Sequence, residues 1–136
     1  MGYKIKIYCV GRPHPPHLKE AIESYAKRLS GHCLLEWIIL KKDLDLEKKL
    51  SNLSYTCLDV LGVAHTSVSF SKMIEGALSW NFVIGGAEGL PQAIIDGADR
   101  LISLSNLTFP HEMVRLMIIE QIYRAFEIAK GSPYHK

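Results

Sequence analysis

Long apolar runs are missing from this sequence; every hydrophobic stretch is far shorter than the roughly 18 residues a membrane-crossing helix needs. The opening residues, Met1-Gly2-Tyr3-Lys4-Ile5-Lys6, alternate as a strand does and carry no signal-peptide core, so a cytoplasmic protein is expected. Cysteine is scarce. Cys9, Cys33 and Cys57 are an odd number with no C-x-x-C pair, which suggests neither a redox motif nor a zinc site; buried reduced thiols are expected. The six histidines are scattered. His14 and His17 are neighbours, but Pro13, Pro15 and Pro16 interrupt the segment and no carboxylate or cysteine completes a ligand set, so no metal is expected. Surplus charge is small as well. A net charge of +2 permits nucleic-acid binding without arguing for it, and an RNA partner would have to be held by a localised patch or a preformed complex.

What is present fits one domain over residues 1–136, long enough for a real core and too short for two. Strand-like apolar runs are expected at Lys4–Val10, Cys33–Leu40, Tyr55–Leu61, Trp80–Ile84 and Arg100–Leu104. Between them, Leu18–Leu29 repeats apolar residues at helical spacing, and a short helix is plausible within 41–53. Ser69 is a candidate N-cap for a helix carrying Phe70, Met73, Ile74 and Ala77, and Pro91–Gly97 suits a short helix with proline in its first turn. The last helix is expected from about Glu112 to Lys130, stopped by Gly131 and Pro133. Alternating β and α elements with near-continuous apolar strands predict a doubly wound α/β fold with a mainly parallel, five- to six-stranded sheet.

Two stretches stand out. Phe82-Val83-Ile84 ends abruptly in Gly85-Gly86-Ala87-Glu88-Gly89, a turn that lets a chain or ligand approach the backbone. It is neither a Walker A loop nor a dinucleotide fingerprint, and alone it reads as a tight βα connection. On the last helix, Glu120, Arg124 and Glu127 share one side, with Glu120 and Arg124 spaced for an i, i+4 pair. Arg115 lies in line with Ile118, Ile119, Ile122 and Phe126 instead. A guanidinium on an apolar face needs partners, which leaves an ion pair, a subunit interface or an anion site open. The helix is apolar over most of its circumference, which suggests that it meets both the sheet and a partner, as in a homodimer.

Taken in order, Ile84-Gly85-Gly86-Ala87-Glu88-Gly89-Leu90, Leu104-Ser105-Asn106-Leu107-Thr108-Phe109-Pro110-His111, Val114-Arg115, Glu120-Gln121-Ile122-Tyr123-Arg124-Ala125 and Pro133-Tyr134-His135-Lys136 closely resemble the ribosomal RNA large-subunit methyltransferase H family of the SPOUT superfamily. Leu58-Asp59 followed by Gly62 fits an earlier strand end of that family. The resemblance implies a C-terminal trefoil knot, an exception to un-knotted connections. It also implies a homodimer that uses S-adenosyl-L-methionine to methylate N3 of a pseudouridine in large-subunit rRNA within the ribosome. Leu58, Gly85, Gly86, Leu104, Ser105, Asn106, Leu107, Thr108 and Phe109 match the family's cofactor-site positions.

Methyl transfer from a sulfonium needs an aligned nucleophile and little covalent help. The target imide N–H is weakly acidic, so a base or an oxyanion-stabilising group should assist. His135, with an ordinary histidine pKa near about 6.5, suits that role, Tyr134 could position it, and Arg115 could bind a phosphate or stabilise charge on the pyrimidine. Two departures from the family pattern are visible: the 41–53 segment is shorter and less basic than usual, and Ala87 stands where proline is common. A non-catalytic RNA- or ribosome-binding dimer of the same fold is the rival reading. A flavodoxin-like domain is a weaker one, because Gly11-Arg12-Pro13 stands where a Ser/Thr-rich phosphate loop would be.

Overall fold

The computed structural model describes residues 2–136. Five strands form one sheet in the order β2-β1-β4-β3-β5, and every neighbouring pair is parallel. They are β1 (Tyr3–Val10), β2 (Cys33–Leu40), β3 (Thr56–Ala64), β4 (Ser79–Ile84) and β5 (Arg100–Ser103). The helices are α1 (Pro16–Leu29), α2 (Asp43–Leu50), α3 (Ser67–Glu75), α4 (Gln92–Gly97) and α5 (His111–Lys130).

Alternation along the central strands divides the core into two apolar layers. Ile5, Ile7 and Cys9 of β1 pack with Leu18 and Ile22 of α1, Phe70 and Ile74 of α3, and Ile118, Ile119 and Ile122 of α5. Tyr8, Val10 and Val83 face the other way, onto Leu46 and Leu50 of α2 and Ile94 of α4. The sheet is therefore covered on both faces, as continuous apolar strands require. Helix α5 packs against both α1 and α3. Much of its wide apolar circumference is thus covered within the chain, so breadth of apolar cover alone does not call for a partner. Cys9, Cys33 and Cys57 are buried free thiols, as expected. Among the described residues, no helix is long and apolar enough to cross a membrane.

Several element ends differ from expectation. Strand β3 does not finish before Gly62: it is interrupted by a register shift between Leu58 and Val63, then resumes with Val63 and Ala64 paired to Ile102 and Ser103. A Cβ on Gly62 would lie 2.6 Å from backbone atoms of Leu101 and Ile102, so only glycine lets the strand run this close to β5. The N-cap of α3 is Thr66, not Ser69. Thr66 Oγ1 accepts from Ser69 N–H while Ser69 Oγ accepts from Thr66 N–H, a reciprocal capping box that recruits Ser69 as its third helical residue. Pro91 is the N-cap of α4 rather than its first residue.

Candidate active site

Leu58, Ile84 and Ile102 stand in register across β3, β4 and β5, so these three strands deliver their carboxyl ends to one place. A cavity of about 420 Å³ opens there, the position at which open α/β sheets hold ligands. From β3 it is bordered by Leu58, Asp59 and Val60, and from β4 by Ile84, Gly85 and Gly86. From the segment after β5 it is bordered by Leu104, Ser105, Leu107, Thr108 and Phe109. Of the nine residues expected at a cofactor site, Asn106 alone does not border it; its side chain is solvent-exposed.

The walls are shaped by backbone. After β4 the chain doubles back, with Gly89 N–H donating to the Gly86 carbonyl at 3.0 Å. A Cβ on Gly85 would lie 2.7 Å from the Gly89 carbonyl carbon and 2.9 Å from Leu90 N, so the turn cannot close over any other residue. After β5, Ser103 Oγ–H donates to the Ser105 carbonyl at 2.8 Å and Leu107 N–H donates to Ser105 Oγ at 3.0 Å. These bonds curl the 104–109 segment around the cavity, with Phe109 half-buried and Leu107 exposed. A planar aromatic ligand edge could meet free backbone groups here between apolar side chains.

Tyr134 and His135 do not border this cavity. Gly131 ends α5 in the left-handed conformation, and Ser132 N–H donates to the Glu127 carbonyl, turning the tail back along the helix. The Tyr134 hydroxyl donates to Glu120 Oε2 at 2.9 Å and lies 3.4 Å from the Tyr25 hydroxyl. Its ring meets the Tyr123 edge at 4.9 Å and lies under the Arg124 guanidinium at 4.8 Å. Burial, reinforced by the hydrogen bonds with Tyr25 and Glu120, raises the Tyr134 pKa, so its hydroxyl stays a donor. Arg124 forks onto Glu120 Oε2 through Nε and Nη2, at 3.1 and 2.7 Å, and this hydrogen bonding raises its pKa. Its Nη1 donates to His135 Nδ1 at 3.1 Å. An arginine has no lone pair to offer, so Nδ1 is the acceptor and His135 carries its proton on Nε2. Glu127, expected beside Arg124, instead faces His32 and Ser132, accepting from Ser132 Oγ–H at 2.7 Å. The Ser132 hydrogen bond, helped by Lys130 and His32, lowers its pKa.

Arg115 stands apart from this cluster, about 7.5 Å from Glu120 and about 13.5 Å from Arg124 along the α5 axis at the usual rise per residue. It is fully buried and forms no ion pair among the described residues, so the ion-pair reading does not apply. Glu120 and Arg124 were legible as a helical pair, but nothing local announced that the tail would fold back onto them. Glu120 also borders a second cavity of about 480 Å³ between α1, α3 and α5, which shares Ser103, Leu104 and Met117 with the first.

A parallel α/β sheet with a glycine-walled cavity at the ends of three strands is the setting of a SPOUT-class methyltransferase, and the family profile described as "Predicted SPOUT methyltransferase" matches residues 3–135. A probable methylase family protein of Haemophilus influenzae superposes with a TM-score of 0.63 over 97% of this chain and 70% of its own, at 10% identity, a likeness of fold. The ribosomal RNA large subunit methyltransferase H 1 of Clostridium perfringens is 39% identical over 97% of this chain and 99% of its own length. The methyltransferase H of Streptococcus pyogenes is 37% identical over 98% and 99%. The chain belongs to the ribosomal RNA large subunit methyltransferase H family. The first of these alignments spans 157 positions against a chain of 136, so that relative carries internal residues that this chain lacks.

Proposed function

We propose that the protein methylates N3 of a pseudouridine in large-subunit rRNA, in the cytoplasm and on the assembled ribosome, with S-adenosyl-L-methionine as donor. The observation that carries this reading is the convergence of Leu58, Gly85, Gly86 and the 104–109 segment on one cavity. The donor fits its walls: Gly85 lets the turn close onto Gly89 and Leu90 and Gly86 lets Val10 pack close, so this side of the cavity is bordered by the glycine turn, and Leu107 and Phe109 offer apolar cover for an adenine. When bound, the donor supplies an electrophilic methyl group on a sulfonium.

The chain's own residues then have three tasks. The cavity walls hold the two reactants in line and exclude water, which supplies most of the acceleration. The pyrimidine N3–H loses its proton as the N–CH₃ bond forms and the S–CH₃ bond breaks. His135 either accepts that proton or, in the tautomer set by Arg124, offers Nε2–H to a carbonyl oxygen gaining negative charge while the N3 proton passes to solvent water. Tyr134, through its bond to Glu120, positions the tail.

Within one chain the tail and the cavity do not meet, so we place them together in a homodimer, the tail of each subunit serving the cavity of its partner. Val60, Leu61, Val63 and Leu107 support an interface there: they are exposed apolar residues on the β3 bulge and the segment after β5, and Val60 and Leu107 border the cavity. The reading carries with it the family's trefoil knot, in which the segment after β5 threads a loop of the preceding chain. Calorimetric titration with S-adenosyl-L-methionine and S-adenosylhomocysteine, followed by transfer of a labelled methyl group to ribosomes, tests the proposal. Saturable binding and rRNA labelling are expected. Absence of binding by the folded protein would favour a non-catalytic ribosome-binding dimer.

A further inference from the structure

Near its N-terminus α5 holds a buried cation, Arg115, with no task in the methyl transfer proposed above. Arg115 Nη1 donates to the Arg12 carbonyl at 2.9 Å and to His14 Nδ1 at 3.3 Å, whereas Nε and Nη2 are buried without a hydrogen-bond partner among the described residues. Leaving a desolvated guanidinium without a counter-charge is costly. The neighbouring Cys9 does not supply one, because burial pushes its thiol up to about 12 and it stays neutral. The orphaned Nη2 faces Gly11: a Cβ built there would sit 3.5 Å from Arg115 Nη2 and 3.6 Å from His111 Nε2. Two nitrogens of α5 therefore converge on a loop position that carries no side chain. His111 also borders the cavity, and the adjoining Val10 packs against Gly86 on the same wall. The α5 N-terminus opens here too. Its N-cap, Pro110, makes no side-chain hydrogen bond, so first-turn N–H groups add their partial positive charge. Glu112, the one acid on that turn, forms no ion pair among the described residues.

We propose that the Gly11–His111–Arg115 corner is an anion receptor of the cavity, and that it takes the carboxylate on the amino-acid portion of the methyl donor. The proposal rests on the reading of the cavity as the S-adenosyl-L-methionine site. His111 makes the contact, and Arg115, wholly shielded, places its charge behind it while fixing the 11–14 loop. The 104–107 part of the wall, shaped by the Ser103 and Ser105 hydrogen bonds, is left for the adenine. Arg115 thereby becomes a positioning residue for the donor, not a group that touches the pyrimidine. A phosphate of the RNA shares the same chemistry and is separated by the test.

The test is calorimetry on the full chain with S-adenosylhomocysteine and its decarboxylated analogue. The parent protein should favour the carboxylated ligand by about tenfold or more, the scale of a charge-assisted hydrogen bond. His111→Ala and Arg115→Met should each collapse that preference to about twofold by weakening S-adenosylhomocysteine alone. Inorganic phosphate should compete with S-adenosylhomocysteine and leave the decarboxylated analogue untouched, a readout that stands even if Arg115→Met fails to fold. Equal affinity of the parent for both ligands would overturn the proposal, as would a preference that survives His111→Ala. Unchanged S-adenosylhomocysteine binding in the variants with a raised KM for ribosomes would overturn it in favour of an RNA phosphate. No binding of either adenosyl ligand would strike the reading of the cavity itself.

Discussion

The cavity at the ends of β3, β4 and β5 is shaped by main-chain turns after β4 and β5, whereas the cluster holding Tyr134 and His135 is assembled from side chains on α5. The cavity wall inherits the rigidity of a parallel sheet; its shape follows from the register of Leu58, Ile84 and Ile102 and from Gly85, which nothing larger can replace. The tail is held by a few hydrogen bonds among partly exposed groups, each worth about 0.5–3 kcal/mol net. The first arrangement suits a site that must present one fixed surface to a small ligand. The second suits a segment that can release its own helix and engage another surface, because local opening concentrates where contacts are few.

Gly85→Val should show the contrast most strongly. The added side chain would drive into the backbone of Gly89 and Leu90, so both the turn and the cavity must change. Donor binding should fall by about a hundredfold or more, with thermal stability lowered by the strain of a misfitted backbone. Calorimetry and a thermal melt on one sample check this; a tight-binding, unshifted variant would show that the wall is pliable and break the comparison.

His135→Ala should leave donor affinity intact and lower kcat by about a hundredfold, the low end of general acid–base contributions. Its pH profile sharpens the point. If His135 acts as the base, kcat/KM falls on acidification and the variant loses that limb. If His135 serves as an Nε2–H donor beside Arg124, the limb is absent from both proteins. Pairing an inactive His135→Ala subunit with an inactive cavity variant, Gly86→Val, should restore activity in the mixed dimer if each tail serves the partner's cavity. No recovery would assign tail and cavity to the same chain.

Glu120→Gln removes the charge that gathers Arg124 and the Tyr134 hydroxyl. The tail should loosen, read as faster amide exchange of residues 132–135, with KM for ribosomes changed a few-fold and donor affinity unaffected. Slower donor binding in this variant would mean that the two regions are coupled, contrary to their separate construction.

The unequal legibility of the two regions has the same cause. Strand ends and the Gly85-Gly86 turn are written in adjacent residues, so the sheet and its parallel sense could be read in advance, and eight of the nine residues expected at a cofactor site border one cavity. Asn106, the ninth, is exposed and does not border the cavity. The tail's docking joins residues far apart in sequence, Tyr25 with Tyr134 and His32 with Glu127, and no local pattern announces such contacts. The continuation of β3 past Gly62 was hidden for a similar reason: glycine there marks a close crossing with β5, not a strand end.

The smallest expected effect lies between the two regions, at His14. Its Nδ1 accepts from Arg115, so the ring must be neutral, and burial, with Arg115 and Lys19 adding to it against Glu23, holds its pKa below the ordinary histidine value. A histidine with a depressed folded-state pKa binds fewer protons folded than unfolded, so stability rises with pH through that window. The parent protein should therefore lose stability as pH falls from about 6.5, the unfolded value, toward the lower folded one. His14→Gln, which keeps an acceptor but cannot titrate, should flatten that limb of the melting-temperature profile by about a degree or two. An identical pH slope in parent and variant would show that the 11–14 loop does not depend on a neutral ring, and would place the cation of Arg115 outside the forces that hold this end of α5.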